Sequence, residues 1–288
     1  MIKIAIASGK GGTGKTMVAT SMAFSLAKEH NIQFLDCDVE APNAHLFLKP
    51  EISEVKPAVI NVPKIDYNQC ILCSRCVDIC EFNALAMLGE KIFVFEQLCH
   101  GCGSCTIHCP VNAISETPRK IGELNIGNFI NDHRYLYGEL TISEPMPTPI
   151  IRQLKALIRE EVEIAILDSP PGASCSVVAT LHDADYVILV TEPTPFGLHD
   201  LKQMLGVIAQ TGSPAGVIIN RDGIGDSNLE DYLATTQFPI LLKIPYQENI
   251  AVGLATGRLL IDILPEIKDA FTDMFFAIKS TLETEVGV

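Results

Sequence analysis

The chain has 288 residues, 48% of them hydrophobic, and a formal net charge of −14 at pH 7. This size and composition predict one large domain and a small one, folded around an ample core. The acidic charge argues against a nucleic-acid partner, since binding to phosphate backbones depends on patches of lysine and arginine. Ten cysteines are more typical of metal chemistry than of disulfides, provided that the compartment is reducing.

The first residues predict a strand, because Ile2, Ile4 and Ile6 form a β-branched apolar run. No basic and apolar leader precedes this strand. No apolar run reaches the roughly 20 residues that cross a bilayer. We therefore expect a cytoplasmic protein without a stable membrane anchor.

A glycine-rich segment follows the first strand and precedes a helix-forming run over 17–28. Residues 9–16 read Gly-Lys-Gly-Gly-Thr-Gly-Lys-Thr and match the pattern G-x-x-x-x-G-K-[ST]. In such a loop the backbone N–H groups and the helix N-terminus bind anions. Lys15 supplies a positive charge for the β- and γ-phosphates, and Thr16 offers a hydroxyl to Mg²⁺. The alternative is a glycine-rich turn without a ligand.

Lys10 is an addition to this general pattern. Its side chain leaves the loop where it cannot easily fold back onto the same phosphates, which suggests action across an interface. The motif K-G-G-x-G-K-T resembles the deviant Walker A loop of the MinD/ParA/nitrogenase-iron-protein class of P-loop ATPases. The resemblance implies ATP hydrolysis and an ATP-dependent dimer in which Lys10 reaches the nucleotide of the partner subunit. The alternative is a solvated lysine near a phosphate.

Two carboxylates end the second predicted strand, which begins at Ile32. Ligands of doubly wound sheets gather at the carboxyl ends of strands, so Asp36 and Asp38 are expected to face the P-loop. The segment D-C-D-V-E-A-P-N resembles the switch I region of the family. It implies that Asp38 orients the attacking water and that Asp36 supports the Mg²⁺ shell. The alternative for either aspartate is a helix cap or an Asx-turn, and Cys37 is expected to be buried.

Two cysteine runs lie in the middle of the chain. The spacing C-x₂-C-x₂-C-x₃-C occurs twice at a constant offset of 29 positions, in Cys70, Cys73, Cys76 and Cys80 and in Cys99, Cys102, Cys105 and Cys109. The dipeptide Asn-Ala repeats at the same offset, at 83–84 and 112–113. The sequence therefore contains an internal duplication.

Residues 62–117 resemble bacterial ferredoxins with two [4Fe–4S] clusters, in which the fourth cysteine of each run ligates the other cluster. Glu81 stands where a proline is expected after the first run, which leaves ligation intact but changes a turn beside the cluster sulfurs. Zinc is an alternative, although its sites favour separated C-x₂-C pairs, and disulfides are another. The implied ligand sets are Cys70, Cys73, Cys76 with Cys109, and Cys99, Cys102, Cys105 with Cys80.

Beyond the cysteines the sequence predicts a short strand over 121–126, a polar segment to 138 and a helix over 150–160. A strand over 162–167 then ends at Asp168. The segment D-S-P-P-G resembles the Walker B and switch II motif of the family. It implies that Asp168 holds the Mg²⁺ shell through water and that the N–H of Gly172 senses the γ-phosphate. The alternative is a proline-rich turn.

Strands and helices alternate in the last third, as in doubly wound parallel sheets. Strands are predicted over 186–190, 215–219 and 239–244, and helices over 198–210 and 229–234. Asn220-Arg221 resembles the N-R pair that contacts adenine in this family, and the asparagine amide can donate and accept toward a base edge. The resemblance also implies backbone contacts to the base from the loop at Pro245.

A last amphipathic helix is predicted over 265–282. Its apolar residues stand at helical spacing, at Ile267, Phe271, Met274, Phe275 and Ile278. The polar face mixes acidic residues with few lysines, whereas membrane-surface helices carry a basic polar face. We expect this helix to pack on the core.

The sequence thus predicts an α/β fold with a doubly wound, mostly parallel sheet. A P-loop ATPase domain, 1–61 and 118–288, is interrupted by a small α+β ferredoxin-like domain, 62–117. Lys10, Lys15 and Asp38 are expected to act in catalysis, and Thr16, Asp36 and Asp168 at Mg²⁺. The residues expected to bind nucleotide are Gly9, Lys10, Gly11, Gly12, Thr13, Gly14, Lys15, Thr16, Met17, Asp168, Gly172, Asn220, Arg221 and Pro245.

Three functions fit this combination. In the first, ATP-driven dimer rearrangement gates electron transfer from two [4Fe–4S] clusters to a redox partner. In the second, ATP times the assembly or delivery of an iron–sulfur cluster or another metallocofactor. In the third, the protein positions other macromolecules and the clusters sense redox state.

The sequence separates these three functions in part. No cysteine follows Cys175, whereas the scaffold ATPases of the superfamily carry a C-x-x-C in their C-terminal half, and this weakens the second. The acidic charge weakens the third. We favour the first, with a second copy or a paralogous ATPase completing the dimer.

Overall fold

The computed structural model describes residues 1–225 and 227–286. The strands are β1 (Ile2–Ala7), β2 (Ile32–Asp36), β3 (Glu51–Ile65), β4 (Leu85–Leu88), β5 (Lys91–Val94), β6 (Ile114–Phe129), β7 (His133–Leu140), β8 (Ile164–Asp168), β9 (Tyr186–Thr191), β10 (Ala215–Asp222) and β11 (Ile240–Pro245). The helices are α1 (Lys15–Leu26), α2 (His45–Leu48), α3 (Arg75–Asp78), α4 (Ser104–Ile107), α5 (Thr148–Lys155), α6 (Cys175–Leu181), α7 (Pro195–Thr211), α8 (Asn228–Leu233), α9 (Glu248–Ala255), α10 (Leu260–Ile263) and α11 (Ile267–Val286).

A mixed sheet of nine strands has the order β11-β10-β9-β1-β8-β2-β7-β6-β3. All neighbours from β11 to β7 are parallel. The central strand β1 is apolar on both faces, since Ile4 and Ile6 pack into one core cluster and Ala5 and Ala7 into the other. Helices cover both faces of this part. The predicted α/β fold with a large, mostly parallel sheet is therefore confirmed.

The far edge of the sheet is an antiparallel ribbon that the sequence did not predict. β6 pairs with β7 on one side and with β3 on the other. A strand does cover the predicted 121–126, but β6 is much longer, at 16 residues. The polar segment predicted to 138 was wrong, because β7 begins within it and continues to Leu140. The first seven residues of β3 are exposed, so this strand lacks the apolar run by which buried strands are recognised.

The two cysteine runs lie between β3 and β6, in a small unit at the tips of these strands that also contains α3, α4 and the β4–β5 hairpin. The duplication is visible in its hydrogen bonds. The N–H groups of Ala84 and Ala113 donate to the Sγ atoms of Cys80 and Cys109, at 3.3 and 3.2 Å. Equivalent positions of the two runs therefore have equivalent local structure.

The ribbon is continuous across the predicted domain boundaries. In the β3–β6 register Asn61 faces Pro118 and Val62 faces Thr117. The cysteine unit thus shares two hydrogen-bonded strands with the main sheet. The division at 61/62 and 117/118 stays a prediction.

Helix α11 packs on the core, as the sequence predicted. Phe271, Met274, Phe275 and Ile278 are buried against the face of the sheet that α1 also covers. Within 1–225 and 227–286, none of the helices has the length and apolar character that crossing a membrane requires.

Candidate nucleotide site and cysteine pockets

The P-loop, residues 9–16, connects β1 to α1 and adopts a backbone that only glycine suits at two positions. Gly12 and Gly14 have φ of 78° and 99°, in the left-handed region. A Cβ atom on Gly14 would lie 2.5 Å from Nδ2 of Asn220. That amide donates to the carbonyl oxygen of Thr13 at 2.7 Å. The P-loop backbone is therefore packed against, and hydrogen-bonded to, the end of β10.

The predicted phosphate-binding lysine lies among carboxylates at the strand ends. Lys15 is buried, and burial lowers its pKa while the charges of Asp168 and Asp38 act in the opposite direction. Asp36 and Asp168 face each other in the β2–β8 register. Parallel strands thus bring these groups to one edge of the sheet, as expected for a phosphate and metal site.

The burial and the hydrogen bonding of Asp168 are those expected of a carboxylate that binds a cation. It is 1% exposed, and within the described residues neither of its carboxylate oxygens has a hydrogen-bond partner. Burial and the nearby Asp36 raise its pKa well above the ordinary value, against the effects of Thr16 and Lys15. An orphaned buried carboxylate beside the Thr16 hydroxyl fits the hydrated Mg²⁺ of a nucleotide complex.

Asp36 organises the switch I loop, residues 37–44. Its oxygens accept hydrogen bonds from the N–H groups of Asp38, Asn43 and Ala44, at 3.1, 2.9 and 3.0 Å. Burial raises its pKa to about 7 in spite of these donors. The Asx-turn that the sequence left open therefore exists, and Asp36 shapes the loop that presents Asp38. Cys37 is buried, as expected.

Switch II, residues 169–174, is tied to the P-loop. The N–H of Gly172, predicted to sense the γ-phosphate, donates to the carbonyl oxygen of Ser8 at 3.0 Å. The Ser8 hydroxyl in turn donates to the carbonyl oxygen of Lys10 at 2.6 Å. A γ-phosphate contact from Gly172 would require this backbone hydrogen bond to break.

A pocket beside the P-loop is lined by several of the residues predicted to bind nucleotide, among them those predicted to contact the base. Gly12, Gly14, Met17, Asn220, Arg221 and Pro245 line it, together with Tyr246, Gln247, Ile250, Ala251 and Leu254. Tyr246 and Gln247 lie in the loop between β11 and α9, which the sequence indicated from Pro245 onward, and the other three belong to α9 and were missed by the sequence reasoning. The signal was available in principle, since they directly follow the predicted loop at Pro245.

The cysteines line two further pockets. The near pocket, which also contacts Asn61 and Pro63 within β3, contains Cys80, Cys99, Cys102 and Cys105. The far pocket, at the strand tips Ile65 and Ile114, contains Cys70, Cys73, Cys76 and Cys109. In each pocket three cysteines come from one run and the fourth from the other, which are the two predicted ligand sets.

The cysteine geometry differs from that of a mononuclear metal site. Among the described residues, no three His, Cys, Asp or Glu side chains converge as ligands of a single ion must. A cubane cluster is ligated by four thiolates, and four cysteines line each of the two pockets. Burial raises the pKa of Cys76, Cys99 and Cys105, and a bound metal would favour their thiolate forms.

Residues 4–260 match the family described as the CobQ/CobB/MinD/ParA nucleotide binding domain. The chain belongs to this family. Within the family-matched region lie the P-loop, both switch loops, the pocket beside the P-loop and all the cysteines. Nucleotide binding at the P-loop is thus the property that the family, the motif and the geometry have in common.

Individual proteins are similar to this chain over most of its length. An uncharacterised protein of Methanocaldococcus jannaschii is 31% identical over 266 residues, which are 90% of this chain and 91% of that protein. A cytosolic Fe-S cluster assembly factor NUBP2 homolog of Culex quinquefasciatus is 22% identical over 284 residues, covering 91% of this chain and 90% of that protein. The septum site-determining protein MinD of Pyrococcus horikoshii OT3, complexed with Mg-ADP, covers 95% of this chain and 93% of its own with a TM-score of 0.57 and 18% identity. That last likeness concerns the fold.

One charged residue of this CobQ/CobB/MinD/ParA site was missed by the sequence reasoning. The carboxylate of Glu192, directly after β9, forms a short ion pair with Lys10 and a second ion pair with Arg221 at 2.9 Å. Its signal in the sequence was a carboxylate at the end of a predicted parallel strand, the same feature that identified Asp36 and Asp168.

Proposed function

We propose that this family member is an ATP-binding iron–sulfur protein in which ATP-driven dimerisation controls electron transfer through two [4Fe–4S] clusters to a redox partner. The observation that carries the proposal is the partition of eight cysteines into two pockets of four. Cross-ligation makes each cluster depend on both cysteine runs. Such a cluster is released only if both runs open, and this favours a retained electron carrier over a released cargo.

At the nucleotide site, each predicted residue has one role in this proposal. Backbone N–H groups of the P-loop and Lys15 hold the β- and γ-phosphates. Thr16 and Asp168 hold Mg²⁺, which neutralises phosphate charge when it is bound, and Asp36 keeps switch I in place. Asp38 orients the water that attacks the γ-phosphate. Lys10 reaches the nucleotide of a partner, which is a second copy or a paralogous ATPase.

A continuous hydrogen-bonded path supports communication between switch I and the cysteine unit. The carbonyl oxygen of Val39, in switch I, accepts from the N–H of Leu140 at the end of β7 at 2.8 Å. β7 pairs with β6, and β6 pairs with β3 from Glu51 to Ile65. A displacement of switch I on ATP binding therefore acts directly on the ribbon that carries the cysteines.

The proposal is tested on anaerobically purified protein with reduced clusters. We expect Mg-ATP to change the rate at which an added acceptor oxidises the clusters several-fold. The control is Lys15→Ala, which should keep the reduced-cluster EPR signals and lose both ATP binding and the ATP effect. Iron-free protein, or equal rates with and without ATP, would contradict the proposal.

A second candidate function is ATP-dependent assembly or delivery of an iron–sulfur cluster. The observation that favours it is the relative described as an Fe-S cluster assembly factor, which aligns over most of both chains. The same material distinguishes the two functions when it is mixed with an apo-ferredoxin acceptor. ATP-dependent transfer of iron to the acceptor would support delivery, whereas retention of iron with altered electron transfer would support gating.

A further inference from the structure

The Glu192 carboxylate forms ion pairs with two cationic side chains at the edge of the P-loop, Lys10 and Arg221. One oxygen accepts from Nζ of Lys10, and the other accepts from the guanidinium of Arg221 at 2.9 Å. Arg221 also donates to the carbonyl oxygen of Gly12 at 3.3 Å. The Lys10 side chain is thereby held against its own subunit.

The position of Glu192 is fixed by a tight turn between β9 and α7. The N–H of Thr194 donates to the carbonyl oxygen of Glu192 at 2.8 Å. The Glu192 side chain is 7% exposed, whereas the Lys10 side chain is 34% exposed. The carboxylate is therefore the rigid partner of the ion pair, and the lysine is the partner that can leave.

A buried carboxylate that loses its only counter-ion is strongly destabilised. Glu192 has two, so Arg221 still neutralises it after Lys10 has moved away. Burial alone would raise the pKa of Glu192, but the hydrogen bond and charge of Lys10 and the charge of Arg221 lower it. The carboxylate is thus ionised at neutral pH. As an anion it competes for Lys10 with the nucleotide phosphates of the partner subunit.

We propose that Glu192 is a positioning residue that restrains Lys10 within its own subunit, so that ATP-driven dimerisation has to break the Lys10–Glu192 ion pair. The inference rests on the proposed function, in which Lys10 reaches the nucleotide of a partner. It adds the residue that sets how readily that reach occurs. In this proposal Glu192 acts through Lys10 and has no role at the phosphates or at the water.

The test is self-association in the presence of a non-hydrolysable ATP analogue, measured by sedimentation. Loss of one charge-assisted hydrogen bond from the monomer should let Glu192→Gln dimerise at about tenfold lower protein concentration than the wild type. The matched control is Glu230→Gln, which makes the same charge change at the surface pair with Lys243 and should behave as the wild type. The double variant Lys10→Ala/Glu192→Gln should dimerise as poorly as Lys10→Ala alone.

A second readout reports the ion pair itself. Acetylation of Lys10 by an amine-reactive ester, followed by mass spectrometry, should be several-fold faster in Glu192→Gln than in the wild type, with Lys243 as the internal reference. Equal acetylation rates, or unchanged or weaker dimerisation of Glu192→Gln, would overturn the inference. Normal dimerisation of Lys10→Ala would overturn it as well. If Glu192→Gln behaves as expected while ATP leaves cluster oxidation unchanged, the electron-transfer function fails and the role of Glu192 stands.

Discussion

At the scale of single residues, the nucleotide site depends on backbone positions as much as on charges. Gly14 has a left-handed φ of 99°, and Nδ2 of Asn220 lies where a Cβ atom would be placed on this residue. Gly11, three residues earlier, has no neighbouring atom within 4 Å of an added Cβ. An added methyl group would therefore clash at Gly14 and would be accommodated at Gly11.

We expect Gly14→Ala to destabilise the protein by about 1–3 kcal/mol and to abolish ATP binding, because the residue is strained and displaces the Asn220 amide. Gly11→Ala should change the free energy of unfolding by less than about 0.5 kcal/mol. Urea unfolding and titration with a fluorescent ATP analogue measure the two effects. Equal stability of the two variants would show that the loop is not held as described.

At the scale of elements, α11 supplies a matched pair of phenylalanines. Phe275 is 2% exposed and lies in the core cluster that also contains α1, whereas Phe276 is 48% exposed. We expect Phe275→Ala to lower the free energy of unfolding by about 3–5 kcal/mol, the usual cost of a large core cavity. Phe276→Ala should cost less than about 1 kcal/mol. Thermal and urea unfolding check this, and similar losses for both would argue that α11 does not pack on the core in solution.

The contact between β7 and switch I provides a second test at this scale. A Cβ atom on Gly138 would lie 2.7 Å from Cγ1 of Val39 and 2.6 Å from Cγ2 of Ile150. Gly138→Ala should therefore displace Val39, cost about 1–3 kcal/mol through overpacking, and slow ATP hydrolysis at Asp38. In contrast, Gly206→Ala lies in open space within α7 and should stabilise the protein by about 0.5–1 kcal/mol.

Steady-state ATPase assays and urea unfolding of these two glycine variants give the readouts. A loss of stability without a change in hydrolysis would separate Gly138 from switch I. It would also remove the support for communication through β7. Gly206→Ala should leave the rate of ATP hydrolysis unchanged. If it does, a slower rate in Gly138→Ala can be attributed to the displacement of Val39.

At the scale of the whole molecule, the cysteine unit is joined to the main sheet by two shared strands, β3 and β6. The ribbon of β3 and β6 joins the main sheet at β7, and the near pocket contacts β3 while the far pocket lies at the strand tips. An electron path along this axis would pass the near site before the far one. The order of the two pockets follows from the fold of the ribbon.

The crossed partition of cysteines gives the prediction that belongs to this scale. Cys80→Ala should lose the same EPR signal as Cys105→Ala, because both line the near pocket, and should keep the signal that Cys76→Ala loses. About half of the bound iron should remain in each variant. If Cys80→Ala instead matches Cys76→Ala, each run holds its own cluster and the crossed ligation is wrong.

The sequence by itself determined the parallel part of the sheet, the P-loop and the cysteine spacing. The reason is that these features are local: a fully apolar strand, a fixed glycine pattern and a repeated spacing are each visible within a few residues. The same holds for α11, whose apolar residues recur at helical spacing. The family match over residues 4–260 agrees with the nucleotide binding that the P-loop pattern indicated.

Only the tertiary structure decided the ribbon and the Glu192 ion pairs. β3 pairs with β6 and β7 pairs with β2, in each case a strand distant in the chain. The exposed first half of β3 needs no apolar pattern that a sequence would display. Glu192 meets Lys10 because β9 lies beside β1 in the sheet, although the two residues are far apart in the chain. Contacts between residues distant in sequence depend on strand order, and strand order is a property of the folded chain as a whole.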